Sequence, residues 1–96
     1  MKMKCQVARV LYPNGNEHRV YPSNDKKFTL EDLQALVGGN IEHVILPRGN
    51  GHATMWIDEE GKLKGKEYNF EASRIYGRMP YDCIVGVAVI VTTEKE

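Results

Sequence analysis

Residues 3–12, MKCQVARVLY, alternate in the two-residue period of a β-strand. Met3, Cys5 and Val7 fall on one face, and Ala8, Val10 and Tyr12 on the other. Pro13-Asn14-Gly15-Asn16 has the residues of a tight turn, because Asn-Gly tolerates the positive backbone angles that hairpins need. A shorter strand, Glu17 to Tyr21, is expected to return beside the first. The period changes at residues 29–37. Leu30, Leu33, Leu36 and Val37 make an apolar stripe at helical spacing. Thr29 stands at the N-cap with Asp32 three residues on, a variant of the capping box, and Glu31 and Asp32 complement the helix dipole. Gly38-Gly39 ends the helix, since glycine accepts a left-handed C-cap. With Asn40 these glycines suggest a phosphate loop, but phosphate cradles precede a helix and these follow one.

Further along, Ile41 to Leu46 and Ala53 to Asp58 predict a second hairpin around the Gly/Pro-rich loop from Pro47 to His52. Glu59-Glu60-Gly61-Lys62 is a turn. A short helix is expected over about Phe70 to Ile75, capped by Asn69. The hydrophobic run from Cys83 to Val91 closes the pattern as a strand. The order β-β-α-β-β-(short α)-β predicts an α+β fold, with a small mixed or antiparallel sheet and the helix packed on one face. Trp56, the single tryptophan, is expected in the core.

The chain has 96 residues, which suits one domain spanning 1–96. Its 13 Lys+Arg balance 13 Asp+Glu, so the formal net charge is zero. Residues 1–48 hold seven basic and five acidic side chains, and residues 49–96 hold six and eight, so neither half is a basic arm or an acidic tail. Bulk nucleic-acid binding needs a basic excess and DNA mimicry an acidic one; both are excluded. The longest uncharged stretch, CIVGVAVIVTT, has eleven residues against the ~20 that span a bilayer. The amino-terminal MKMKCQVARV lacks the apolar run of a signal peptide. The protein is therefore expected in the cytoplasm, away from membranes, with Cys5 and Cys83 as reduced, buried thiols.

Three stretches together resemble a known family: TLEDLQALVGGNIEHV (29–44), DEEGKLKGKEYNFEAS (58–73) and DCIVGVAVIV (82–91). Their pattern is a Leu-rich helix ending in Val-Gly-Gly, an acidic turn with Gly-Lys-Leu and a later Asn, and Asp-x-Ile-Val-Gly before a hydrophobic strand. It is similar to domain-of-unknown-function family 3846. The resemblance implies a setting in bacteriophages, plasmids and other mobile elements, and supplies no catalytic or ligand residues. It covers roughly residues 28 to 91; the amino-terminal hairpin and the loop 47–52 depart from the short consensus.

The chemistry-bearing residues form no enzyme signature. His18, His43 and His52 fit no metal-ligand spacing, and Asp58, Glu59 and Glu60 lack the alternating oxygens of a calcium loop. Cys83 lies in a β-branched run, and Ser23 and Ser73 lack a Gly-x-Ser-x-Gly elbow. Glu42 and His43 are adjacent on a strand and so point to opposite faces. No catalytic residue, metal or cofactor is called for. Two segments stand out: Pro47 to His52, carrying Arg48 and His52, and Arg74 to Tyr81, alternating arginine with tyrosine. Arginine offers bidentate donors to phosphate, and tyrosine offers a face for stacking a base. Arg48, His52, Arg74, Tyr76, Arg78 and Tyr81 are thus the candidate ligand-binding residues. The expected function is a non-enzymatic binding module that sequesters a small anionic, nucleotide-type ligand, such as a host immune signal. A homo-oligomer is expected, because a chain this short hardly encloses a ligand pocket alone. The alternative readings are a module that inhibits a host protein, and a small-metabolite or nucleotide enzyme.

Overall fold

A computed structural model describes residues 4–24, 26–47 and 53–95. In chain order they form β1 (Lys4–Leu11), β2 (Glu17–Val20), α1 (Leu30–Val37), β3 (Ile41–Val44), β4 (Thr54–Asp58), α2 (Phe70–Tyr76) and β5 (Ala88–Lys95). The strands make one antiparallel sheet ordered β2-β1-β5-β4-β3. The carboxyl-terminal strand lies at its centre, and β2 and β3 form its edges.

Local chemistry explains the element ends. Asn14 Oδ1 accepts from the Asn16 N–H at 2.9 Å, and Gly15, at φ 93°, carries the chain around the β1–β2 turn. Thr29 Oγ1 accepts from the Asp32 N–H at 3.1 Å while Asp32 Oδ2 accepts from the Thr29 N–H at 3.0 Å, a reciprocal capping box. Gly38 closes α1 in the left-handed conformation, its N–H on the Gln34 carbonyl at 2.8 Å.

The sheet is covered on both faces. Ala8 pairs with Val91 and Val10 with Val89, and these four meet Leu33 and Val37 of α1. On the other face Leu11, Met55, Ala88 and Ile90 pack with Ala72 of α2 and with Ile84. Helix α1 thus packs on one face as expected, and the short helix α2 covers the other. Strands β1 and β5 are apolar at positions of both parities, so each face needs its own helix. Trp56 is half-buried rather than central: it edges the α1-side core and meets His43 edge-on at 5.6 Å. Cys5 and Cys83 are likewise half-buried, and neither is in a disulfide.

The expected strand from Cys83 is also corrected, since β5 begins only at Ala88. Gly86 sits at φ 75°, outside strand geometry, and a Cβ there would lie 2.7 Å from Lys66 Cδ. Its N–H reaches the Glu67 carbonyl at 2.7 Å, and Val85 makes an isolated bridge with Tyr68. Ile84, before Gly86, belongs instead to the α2-side core, where it is 1% exposed.

Three buried polar side chains join these parts. Asn69 caps α2, accepting from the Ala72 N–H at 3.1 Å, and its amide donates to the carbonyls of Leu11 at 3.0 Å and Gly86 at 2.8 Å. Ser73 Oγ accepts from the Ile84 N–H at 2.8 Å and donates to the Ile84 carbonyl at 3.2 Å. It serves that residue as a partner strand would. Asp58, 3% exposed at the end of β4, bonds Lys64 at 2.8 Å, Lys66 at 2.7 Å and the Glu60 N–H at 2.8 Å.

Asn69→Ala is expected to cost about 2–4 kcal/mol in urea denaturation, since it removes a cap and strands two buried carbonyls. Asn69→Asp keeps the cap acceptor but faces a carboxylate toward those carbonyls, and is expected to recover nothing. Burial by itself raises the Asp58 carboxyl, but its bonds from Lys64, Lys66 and the Glu60 N–H hold it well below the usual carboxylate range. Its contribution is therefore complete above the unfolded value of about 3.9 and is lost as pH falls toward the folded one. Asp58→Asn is expected to cost about 3 kcal/mol at neutral pH. The gap to the parent should narrow measurably when denaturation is repeated near pH 3.

Candidate functional site

Helix α2 and the segment behind it carry four of the six candidate residues. Arg74, in the last turn of α2, grips Glu71 through Nε and Nη2, each at 2.7 Å. A second arginine matches it from the sheet. Arg9 on β1 grips Glu17 of β2 through Nε at 2.9 Å and Nη2 at 3.0 Å. Each fork spends its Nε side on a carboxylate and keeps the Nη1 edge, from five donors in all. Donating to its carboxylate raises each arginine further, and accepting from its arginine lowers Glu17 and Glu71. The two pairs also feel each other, with Glu71 favouring and Arg74 opposing the charge on Arg9.

These arginines line one hollow of about 450 Å³ together with Ala53, Ile75, Ile90 and Thr92. Arg48 and His52 lie outside the described residues, but both flanks of their loop touch this neighbourhood. Ala53 lines the hollow, and a Cβ on Gly77, the α2 C-cap, would lie 3.2 Å from Pro47 Cγ. Pro47 thus lies against the carboxyl-terminal end of α2, and Ala53 in the wall of the hollow.

Tyr76 turns the other way. Its hydroxyl donates to Asp82 Oδ2 at 3.2 Å, and the Arg78 guanidinium stands 5.8 Å from its ring centroid. Burial, and then the Asp82 charge, raise the Tyr76 phenol. Tyr81 is 94% exposed on the turn closed by the Tyr81 and Asp82 N–H groups on the Arg78 carbonyl. Tyr76 lines a separate cavity of about 430 Å³, where Lys62 forms an ion pair with Asp82. The Lys62 bond, followed by the Cys83 N–H, holds the Asp82 carboxyl below its ordinary value. The four described candidates therefore divide: Arg74 lines the hollow, Arg78 stands over the Tyr76 ring, and Tyr81 stands in solvent.

Arg9 was not among the sequence candidates, although a signal existed. It occupies the strand face that carries Val7 and Leu11, where a charge must be paired or led to the margin. Lys62 and Asp82 each fall in a stretch that carries the family resemblance, but twenty residues apart, and nothing in either stretch pairs them. Among the described residues no three His, Cys, Asp or Glu side chains are grouped to hold a metal ion. No described helix is long and apolar enough to cross a membrane.

No curated protein and no solved structure matches the chain. A family model does match, over residues 8–96. The match takes in half of β1, all of β2 and the 47–52 loop, so much of the hairpin and the whole loop expected to depart from the short consensus lie within it. With nearly the whole length matched, this chain belongs to the family described as Domain of unknown function (DUF3846).

Proposed function

We propose that the chain is a small, non-enzymatic binding module that captures a phosphate-bearing, nucleotide-type ligand. The observation that carries this reading is the pairing of Arg9 with Arg74. They come from distant parts of the chain, line one hollow, and are each oriented by their own carboxylate. A guanidinium held in this way has lost little freedom still to be lost on binding, so its remaining edge is a prepared anion donor. Thr92 adds a hydroxyl to the wall. In this reading Arg48 and His52 add cations and the exposed Tyr81 offers a face to a base, while Tyr76, with Arg78 on its ring, faces the other cavity. The local carboxylates keep the region near neutral, which favours a compact anion over a long polyanion.

The hollow is open on one side, and a second copy of the chain is the proposed cover. In the mobile-element setting that the family resemblance implies, the ligand would be a host signalling nucleotide. Exposed apolar side chains, with Ile45 at 74%, Leu63 at 86% and Phe70 at 61%, favour a second reading, a module that inhibits a host protein.

Thermal unfolding against a panel of linear and cyclic nucleotides tests the first reading. At about 100 times the dissociation constant, binding adds ~2.7 kcal/mol. For a domain of this size that raises Tm by roughly 10–20 °C. The double variant Arg9→Gln/Arg74→Gln is expected to abolish the shift. If no nucleotide moves Tm at millimolar concentration while host lysate yields a stoichiometric protein partner, the second reading replaces the first.

A further inference from the structure

The cavity on the far side of α2 has chemistry opposite to the arginine hollow. Its floor is apolar, built from Val44 of β3, Ile57 of β4 and the segment Ile84-Val85. Its rim is acidic, with Glu42 on β3, Glu59 on the turn after β4, and Asp82. The register places Glu42 beside Ile57, and both line the cavity. Asp58 also borders the space, but its charge is answered by Lys64 and Lys66. Among the described lining residues the one cation is Lys62, whose Nζ is bound to Asp82. Lys62 stands on an exposed turn, and its side chain is 60% exposed.

We infer that this cavity binds a small molecule carrying a primary ammonium on an apolar body, and that Lys62 is the built-in occupant of the ammonium position. The volume of about 430 Å³ suits a small ligand. The rim holds two carboxylates more than it has cations, so charge complementarity selects an amine and rejects a carboxylate. Asp82 is already shaped to receive an ammonium, being oriented by the Tyr76 hydroxyl and the Cys83 N–H at 2.8 Å. An exposed ion pair is weak, so a ligand ammonium that also brings an apolar chain onto Ile57 and Val85 displaces Lys62 at little cost. This site is separate from the arginine hollow, and its occupancy does not depend on the nucleotide reading.

The test is a titration of the full chain with hexylamine, hexanol and hexanoate, followed by amide chemical shifts. Hexylamine is expected to shift the amides of Ile57, Leu63 and the segment 82–85 in a saturable way, with hexanol about tenfold weaker and hexanoate without effect. Lys62→Met is expected to tighten hexylamine binding several-fold by removing the competitor. Asp82→Asn is expected to lose it while keeping an acceptor for the Cys83 N–H. Arg9→Gln/Arg74→Gln should leave it unchanged. Equal binding of hexanol and hexylamine, no response at these amides, or unaltered affinity in Lys62→Met would each overturn the inference. Tighter binding of an Nα-blocked lysine amide than of hexylamine would overturn it too, by assigning the cavity to a protein side chain.

Discussion

The buried carboxylate of Asp58 is the constraint on which the arrangement depends. A charge at 3% exposure is tolerable only with close partners, and Asp58 takes two lysines and a backbone N–H from the turn that follows it. Satisfying that charge folds the segment 59–66 back over the end of β4. The same contact reaches α1. Gly39 passes so close that a Cβ would sit 2.6 Å from Asp58 Oδ2, and Lys66 Nζ also donates to the Val37 carbonyl at 3.3 Å. One acidic side chain thereby sets the carboxyl-terminal end of α1, the turn after β4 and the path toward α2.

Downstream of that turn, Asn69 performs the corresponding task in neutral form. It joins the end of β1, the kink at Gly86 and the start of α2 through three hydrogen bonds, and it is fully buried. Ser73 adds the link from α2 to Ile84. Helix α2 has only seven residues, too short to be stable by itself, so these bonds and the apolar contacts of Ala72 determine its position. Both hollows inherit their geometry from it, with Arg74 on one side and Tyr76 on the other.

Charge neutrality acquires a spatial meaning from this arrangement. Three of the 13 basic side chains meet an acidic partner in this region, Arg9 with Glu17, Arg74 with Glu71 and Lys62 with Asp82. A paired arginine is still a donor, because its fork has two sides. Neutral composition is therefore compatible with local anion donors, and it leaves room for an acid-rimmed cavity a short distance away.

Local chemistry was legible in the sequence wherever a few neighbouring residues decide the outcome. The capping box of Thr29 and Asp32, the Gly38 terminus, the Asn14-Gly15 turn and the Asn69 cap are all contacts within four residues, and the α+β class follows from the elements they bound. The long apolar run from Cys83 misled, because hydrophobicity reports burial and not conformation; Gly86 and Lys66 divide it into a core cover and a strand. The segment 74–81 was marked by its arginines and tyrosines, but the sequence could not divide them between two hollows. That division, the pairing of Arg9 with Arg74 across one space, and the meeting of Lys62 with Asp82 depend on contacts between distant positions. Only the order of strands, with β5 inserted between β1 and β4, brings those positions together.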